Sequence, residues 1–301
     1  MSTEDTIAPV ELSEPQVLDL VKESGFPFEL QVANDLLRFG FDVQLSFRFL
    51  DRTKNRDAEL DIIAQASETE RTVRGTLVRT SLRLAVECRD MSTPLVFFGL
   101  DSGKAPRGAD KMDPDWPYCW IDTSRDSGIP NRFSVIAFDE SRSDLFRKQF
   151  HYQFAEPRRF YTATTVEWQK KRPKVHVTDR LKSTLSNFGA FVESSRFTWA
   201  ELSRNPEYIE RMIGGNATVE LTFLLLVHKA KQYQYYNENR GLVRSGHTSL
   251  FSRFNSERGV QFFVVDFVQH ESLQQTITKI RNTYGLLLDH VLPTVLSSAT
   301  T

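Results

Sequence analysis

The segment LAVECRDMST, residues 84–93, sets Glu87 and Arg89 two positions apart in a run that reads as a buried β-strand. Alternate side chains of a strand point to the same face, so this carboxylate and this guanidinium stand side by side. Two further carboxylates stand out on elements of their own. Asp61 lies in AELDIIAQ, a short strand, and Glu29 begins the stripe Glu29, Val32, Ala33, Leu36 that an amphipathic helix turns toward a core. The helix macrodipole also favours a glutamate near a helix start, which accounts for Glu29 without a partner. Carboxylates brought close together repel and take up protons unless positive charge lies among them. One arrangement that supplies it is an ion network with Arg56, Arg83 and Arg89. The other is a hard divalent cation on oxygen ligands, which polarises a phosphoryl oxygen, acidifies bound water and so suits phosphodiester hydrolysis.

The elements that must position these residues follow from periodicity. EPQVLDLVKESG is helical, with Val17, Leu18 and Val21 on one side and Gly25 as its stop. FPFELQVANDLLRFG gives a second helix, Pro27 suiting its first turn and Gly40 its C-terminal cap. FDVQLSFRFLD then alternates Phe41, Val43, Leu45, Phe47 and Phe49 with polar residues, the strongest strand pattern in the chain. After the turn DRTKNRD, the next strand places Leu60, Ile62 and Ala64 on one face and Glu59, Asp61 and Ile63 on the other. TLVRTSLRLAVECRD is the third strand, with Leu82, Leu84, Val86 and Cys88 opposite Arg83, Ala85, Glu87 and Arg89.

A helix followed by three strands, with PFELQVANDLLRFGF, RDAELDII and LAVECRD in that order, resembles the PD-(D/E)xK nuclease superfamily. The resemblance spans residues 24–100 and rests on three short pieces, each weak alone and specific in conjunction. It implies an α/β, restriction endonuclease-like core, a helix and then a mixed central sheet flanked by helices, with a C-terminal α/β extension. It further implies that Asp61, Glu87 and the backbone carbonyl of Cys88 ligate Mg²⁺ or Mn²⁺, with Glu29 as an outer or second-metal ligand. Glu29, Asp61, Glu87 and Arg89 are then the catalytic group of a nuclease acting on DNA or RNA, in restriction, defence or repair.

Arg89 departs from that pattern, which has lysine at this position. Arginine stays protonated and cannot serve as a base, but its planar fork can hold a phosphate oxygen bidentately. Two readings follow: a metal-dependent nuclease, or a nuclease-like domain that binds nucleic acid or protein without cleaving. A third, of another class, is an α/β adaptor whose acidic cluster is incidental.

The remainder of the chain bears on partners. Net charge is −1, so binding to a polyanion requires a local patch. Residues 1–30 hold seven acidic side chains against Lys22 alone, whereas 142–182 hold eleven Lys/Arg against four Asp/Glu, interleaved with aromatics. Arg158, Arg159, Lys170, Lys171, Arg172 and Lys174 are the candidate nucleic-acid contacts there. A solvated helix face is the competing account of that segment. Residues 1–14 read as a mobile tail, 15–145 as the nuclease-like core and 146–301 as the basic segment and C-terminal α/β region, packed on the same sheet or forming its own lobe. TPLVFFGLD and RFSVIAFDE read as strands separated by a Gly- and Pro-rich loop. The helix from Thr178, the buried strand in ATVELTFLLLVHKA and a strand followed by a final helix complete the pattern. Only Cys88 and Cys119 occur, without metal-ligand spacing, and the longest apolar run is Leu221–Val227. These features point to a reducing, cytoplasmic setting without membrane insertion. A homodimer or a partner protein is left open.

Overall fold

The computed structural model describes residues 12–66, 69–73, 76–100, 118–123, 131–134, 159–169, 172–176, 179–202, 216–236, 241–256, 259–286 and 289. Helix α1 (Glu14–Glu23) leads into α2 (Phe26–Arg38), and the first strands are β1 (Phe41–Asp51), β2 (Arg56–Ala66), β3 (Thr69–Val73) and β4 (Thr76–Arg89). Next come β5 (Leu95–Leu100), β6 (Tyr118–Thr123), β7 (Asn131–Ser134), β8 (Arg159–Gln169) and β9 (Arg172–His176). Helix α3 (Asp179–Leu202) precedes β10 (Asn216–His228), β11 (Gln232–Tyr236), β12 (Gly241–Arg244), β13 (His247–Ser256) and β14 (Gly259–Gln269). A 3-10 turn at His270–Ser272 opens into α4 (Leu273–Leu286).

The strands form one mixed sheet in the order β1-β2-β4-β10-β14-β13-β8-β5-β11-β12, with helices on both faces. Its centre reads from the sequence without difficulty. TFLLLVH is apolar on both sides because β10 lies between β4 and β14, parallel to each, and neither face of a central parallel strand meets water. On one face Phe28, Val32, Ala33 and Leu36 of α2 join Leu273, Ile277 and Ile280 of α4 over Leu84, Val86, Phe223 and Leu225. On the other, Leu181, Phe188, Phe191 and Val192 of α3 pack over Ala85, Leu224, Leu226 and Val265. Gly25 at φ 81° and Gly40 at φ 77° bracket α2, taking the left-handed conformation that glycine adopts without a Cβ penalty.

Three sequence expectations change. The five alternating apolar residues of β1 do not share a face: Val43 and Leu45 pack with the α2/α4 core, Phe47 and Phe49 with the α3 core. The switch lies at Ser46, which sits at φ 51°, a conformation that costs an L-residue roughly 1–2 kcal/mol. Its partner strand switches too, since Ile62 and Ala64 belong to the first core and Leu60 and Ile63 to the second. Period-two alternation holds only while the pleat is unbroken, and here it breaks in both strands at Ser46 and Asp61. Within the segment read as a loop, Tyr118–Thr123 is a strand, β6, paired antiparallel to the first half of β10. Finally, the helix EPQVLDLVKE has no buried side chain, and Val17, Leu18 and Val21 are about half exposed.

Candidate active site at the parting of two strands

The ladder between β2 and β4 runs from Gln65–Arg83 to Ile62–Val86 and stops. The next pair would be Asp61 and Glu87. There the strands part, and a side chain takes over the ladder's work: the backbone N–H of Cys88 donates to Asp61 Oδ2 at 2.6 Å instead of to a strand carbonyl. A backbone donor at the end of a buried strand needs an acceptor, and the carboxylate supplies it. The break in pleat at Ser46 and Asp61 thus turns Asp61 into the gap.

Arg89 lies across that gap. Its Nη1 donates to Asp61 Oδ2 at 3.1 Å and to the Cys88 carbonyl at 2.7 Å, and its Nη2 donates to Glu87 Oε2. Nε donates to Thr184 Oγ1 at 3.1 Å, and Asn187 Nδ2 reaches Glu87 Oε1 at 3.4 Å. Thr184 and Asn187 both lie on α3, about a hundred residues after the motif strands. The α3 helix is fixed over the site by the rings that Ser46 redirected, since Phe191 packs edge-on against Phe47 at 6.3 Å and Phe49 at 5.7 Å.

The charge state follows from burial and neighbours. The side chain of Glu87 is 1% exposed, that of Asp61 18% and that of Arg89 28%. Burial pushes the Glu87 carboxyl up to about 8, with the Asp61 charge adding to the rise and the Arg89 guanidinium opposing it. Asp61 is raised by burial against the pull of the Cys88 N–H and Arg89. Glu29 is raised by burial and then by Asp61, with Glu59 adding and Arg89 opposing. Burial and the three carboxylates push the Cys88 thiol well up, so that sulfur is no nucleophile. Three carboxylates therefore face one guanidinium, and the unbalanced charge appears as proton affinity.

The sequence-derived site residues are not all brought into contact. Asp61, Glu87, the Cys88 carbonyl and Arg89 meet directly. Glu29 shares their electrostatic field from α2 but makes no side-chain hydrogen bond or ion pair with them among the described residues. Of the three arginines in the ion-network alternative, Arg89 alone bonds Asp61 and Glu87 among the described residues, while Arg83 pairs with Glu220 at 2.9 Å. The candidate nucleic-acid contacts Arg158, Lys170 and Lys171 lie outside the described residues. Arg159, Arg172 and Lys174 fall on the antiparallel pair β8 and β9, while Arg180 and Lys182 at the end of the basic stretch fall on α3.

Whether a divalent metal suits this place depends on the donors. Among the described residues no group of three or more His, Cys, Asp or Glu side chains is gathered to hold an ion. Two carboxylates and a backbone carbonyl do gather around the Arg89 guanidinium, an all-oxygen set of the kind Mg²⁺ and Mn²⁺ prefer when water completes the sphere. A divalent cation would also offset more of the carboxylate charge than the single charge of Arg89 does. The donor chemistry fits, with Asp61, Glu87 and the Cys88 carbonyl as holders and Glu29 outside the inner set.

No protein-family model, curated protein or solved structure matches the chain. Among the described residues, no helix is long and apolar enough to cross a membrane.

Proposed function

We propose that the protein is a metal-dependent nuclease with a restriction endonuclease-like core, hydrolysing phosphodiester bonds of DNA or RNA. The observation that carries this reading is the gathering of Asp61, Glu87 and the Cys88 carbonyl around one cationic group, the Arg89 guanidinium, where the β2–β4 ladder opens. Mg²⁺ or Mn²⁺ held by those oxygens supplies Lewis acidity and an acidified water. Asp61 and Glu87 hold and orient it, the Cys88 N–H fixes the Asp61 carboxylate, and Glu29 raises the negative potential that draws the ion in. The superfamily resemblance in the three motif pieces supports the same reading, and the basic segment 142–182 supplies the positive charge a polyanion needs.

The second reading, a nuclease-like domain that binds nucleic acid or a protein partner without cleaving, draws on Arg89. A guanidinium bonded to both carboxylates is itself a charge partner for them and requires no metal. The two readings part on purified protein given plasmid, linear duplex, single-stranded DNA and RNA with Mg²⁺ or Mn²⁺, wild type against Arg89→Lys. Cleavage by wild type, altered in rate by the compact ammonium of lysine, supports the nuclease. Binding without cleavage by either protein supports the second reading.

A further inference from the structure

We propose that Arg89 is an internal cation that occupies the metal's place and must be displaced for the metal to bind, with Thr184 on α3 as the latch that holds it there. The inference rests on the nuclease reading above and concerns how that site is regulated.

The guanidinium takes Asp61 Oδ2, the Cys88 carbonyl and Glu87 Oε2, which are the oxygens a divalent ion would take. The guanidinium N–H groups cover the sides of these three oxygens that face the gap, so an ion taking all three as ligands must displace it, and mutual repulsion adds to that steric exclusion. Arginine cannot yield by losing its proton, as a lysine in the same place could. It yields only by rotating out. The path exists, since the side chain is 28% exposed while Glu87 beneath it is 1% exposed.

What opposes the rotation is the Nε bond to Thr184 at 3.1 Å. Thr184 is itself fully buried, one turn before Phe188 in the α3 core, so the acceptor cannot follow the departing guanidinium. Asn187 completes the clamp from the same helix by holding the other oxygen of Glu87 at 3.4 Å. Once out, the guanidinium is free to bind a phosphate oxygen. Metal and nucleic-acid backbone then favour each other's binding, because each stabilises the rotated state and linkage is reciprocal. The arrangement weakens the binding of either one alone.

The test is Mn²⁺ affinity, measured by calorimetry and by loss of the free-ion paramagnetic resonance signal, in wild type, Arg89→Met and Thr184→Val. Removal of a competing cation should tighten Mn²⁺ binding about tenfold or more in Arg89→Met, and removal of the latch should give a smaller gain in Thr184→Val. A merely structural role predicts the opposite, since a loosened site binds metal more weakly. Should Arg89→Met fail to fold, Thr184→Val alone decides the direction. Equal or weaker Mn²⁺ binding in the variants, with wild type binding normally, overturns the displacement and leaves the nuclease reading standing. Absence of Mn²⁺ binding in all three proteins removes the nuclease reading and the displacement with it.

Discussion

Glu87 is the residue on which the site's chemistry is most sensitive to pH. Its carboxyl has an ordinary value of 4.5 and stands at about 8 in the folded chain, chiefly through burial. The folded state therefore binds more protons than the unfolded chain between those values, so stability falls as pH rises through that window and the loss is complete above it. Asp61 and Glu29 are raised too and act in the same direction. Glu87→Gln keeps the shape and removes the charge, so in chelator its melting temperature should gain on wild type as pH goes from 5 to 9. Melting curves at three pH values check this, and a constant difference between the two proteins would show that Glu87 stays ionised throughout. At this scale the sequence brought the charged residues to notice and was silent about their contacts. The triplet Glu87-Cys88-Arg89 and the carboxylates Asp61 and Glu29 could be picked out because alternation and helical spacing place charges on apolar faces. That Arg89 folds back onto the two carboxylates and the Cys88 carbonyl depends on a rotamer, and no pattern of residue types encodes one.

Among the elements, β1 and β2 carry the device that makes room for the site. The break at Ser46 sends Val43 and Leu45 to one core and Phe47 and Phe49 to the other, and this brings α3 onto the site through Phe191. Ser46→Gly should leave stability unchanged or raise it slightly, because glycine adopts a φ near 51° without strain. Ser46→Val should cost about 1–2 kcal/mol in chemical denaturation, as a β-branched residue resists that conformation. If the bend positions Asp61, the valine variant should also lose metal-induced stabilisation while the glycine variant keeps it. Equal metal response in both would separate the bend from the site. Reading FDVQLSFRFLD as a single apolar face was reasonable, since nothing in a serine announces a positive φ. Thr184 and Asn187 were equally illegible. Their helix could be recognised from its pattern, but its docking on strands a hundred residues earlier is a long-range consequence of which face each phenylalanine chooses. The strand β6 was hidden for a different reason, being six residues flanked by Pro, Gly and charge.

The whole molecule has almost no net charge but distributes it unevenly, and that bears on its partner. With eleven Lys/Arg in residues 142–182, nucleic-acid affinity should fall steeply as salt rises, because each neutralised phosphate releases counterions. A plot of log affinity against log salt measures the slope, and Arg158→Glu with Arg159→Glu should weaken binding on every sequence tested and flatten that slope. A flat salt response in wild type would place the binding energy elsewhere. The layering of helices over both faces of a mixed sheet was legible from the run of strands and amphipathic helices. The place of β10 beside β4, which binds the C-terminal half of the chain to the motif half, was not, because parallel neighbours leave no local signature. The central claim is that Asp61, Glu87 and the Cys88 carbonyl form the seat of a catalytic divalent cation, and it is tested most directly by strand cleavage of a supercoiled plasmid and a single-stranded oligonucleotide. Wild type, Asp61→Ala and Glu87→Gln are compared in Mg²⁺, Mn²⁺ and chelator, with folding checked by circular dichroism. Wild type should cleave in metal and stop in chelator, and each substitution should reduce the rate by about a hundredfold or more by removing a ligand charge. Cleavage that survives chelator or either substitution would contradict the account, and so would its absence from wild-type protein that binds the same substrates in either metal.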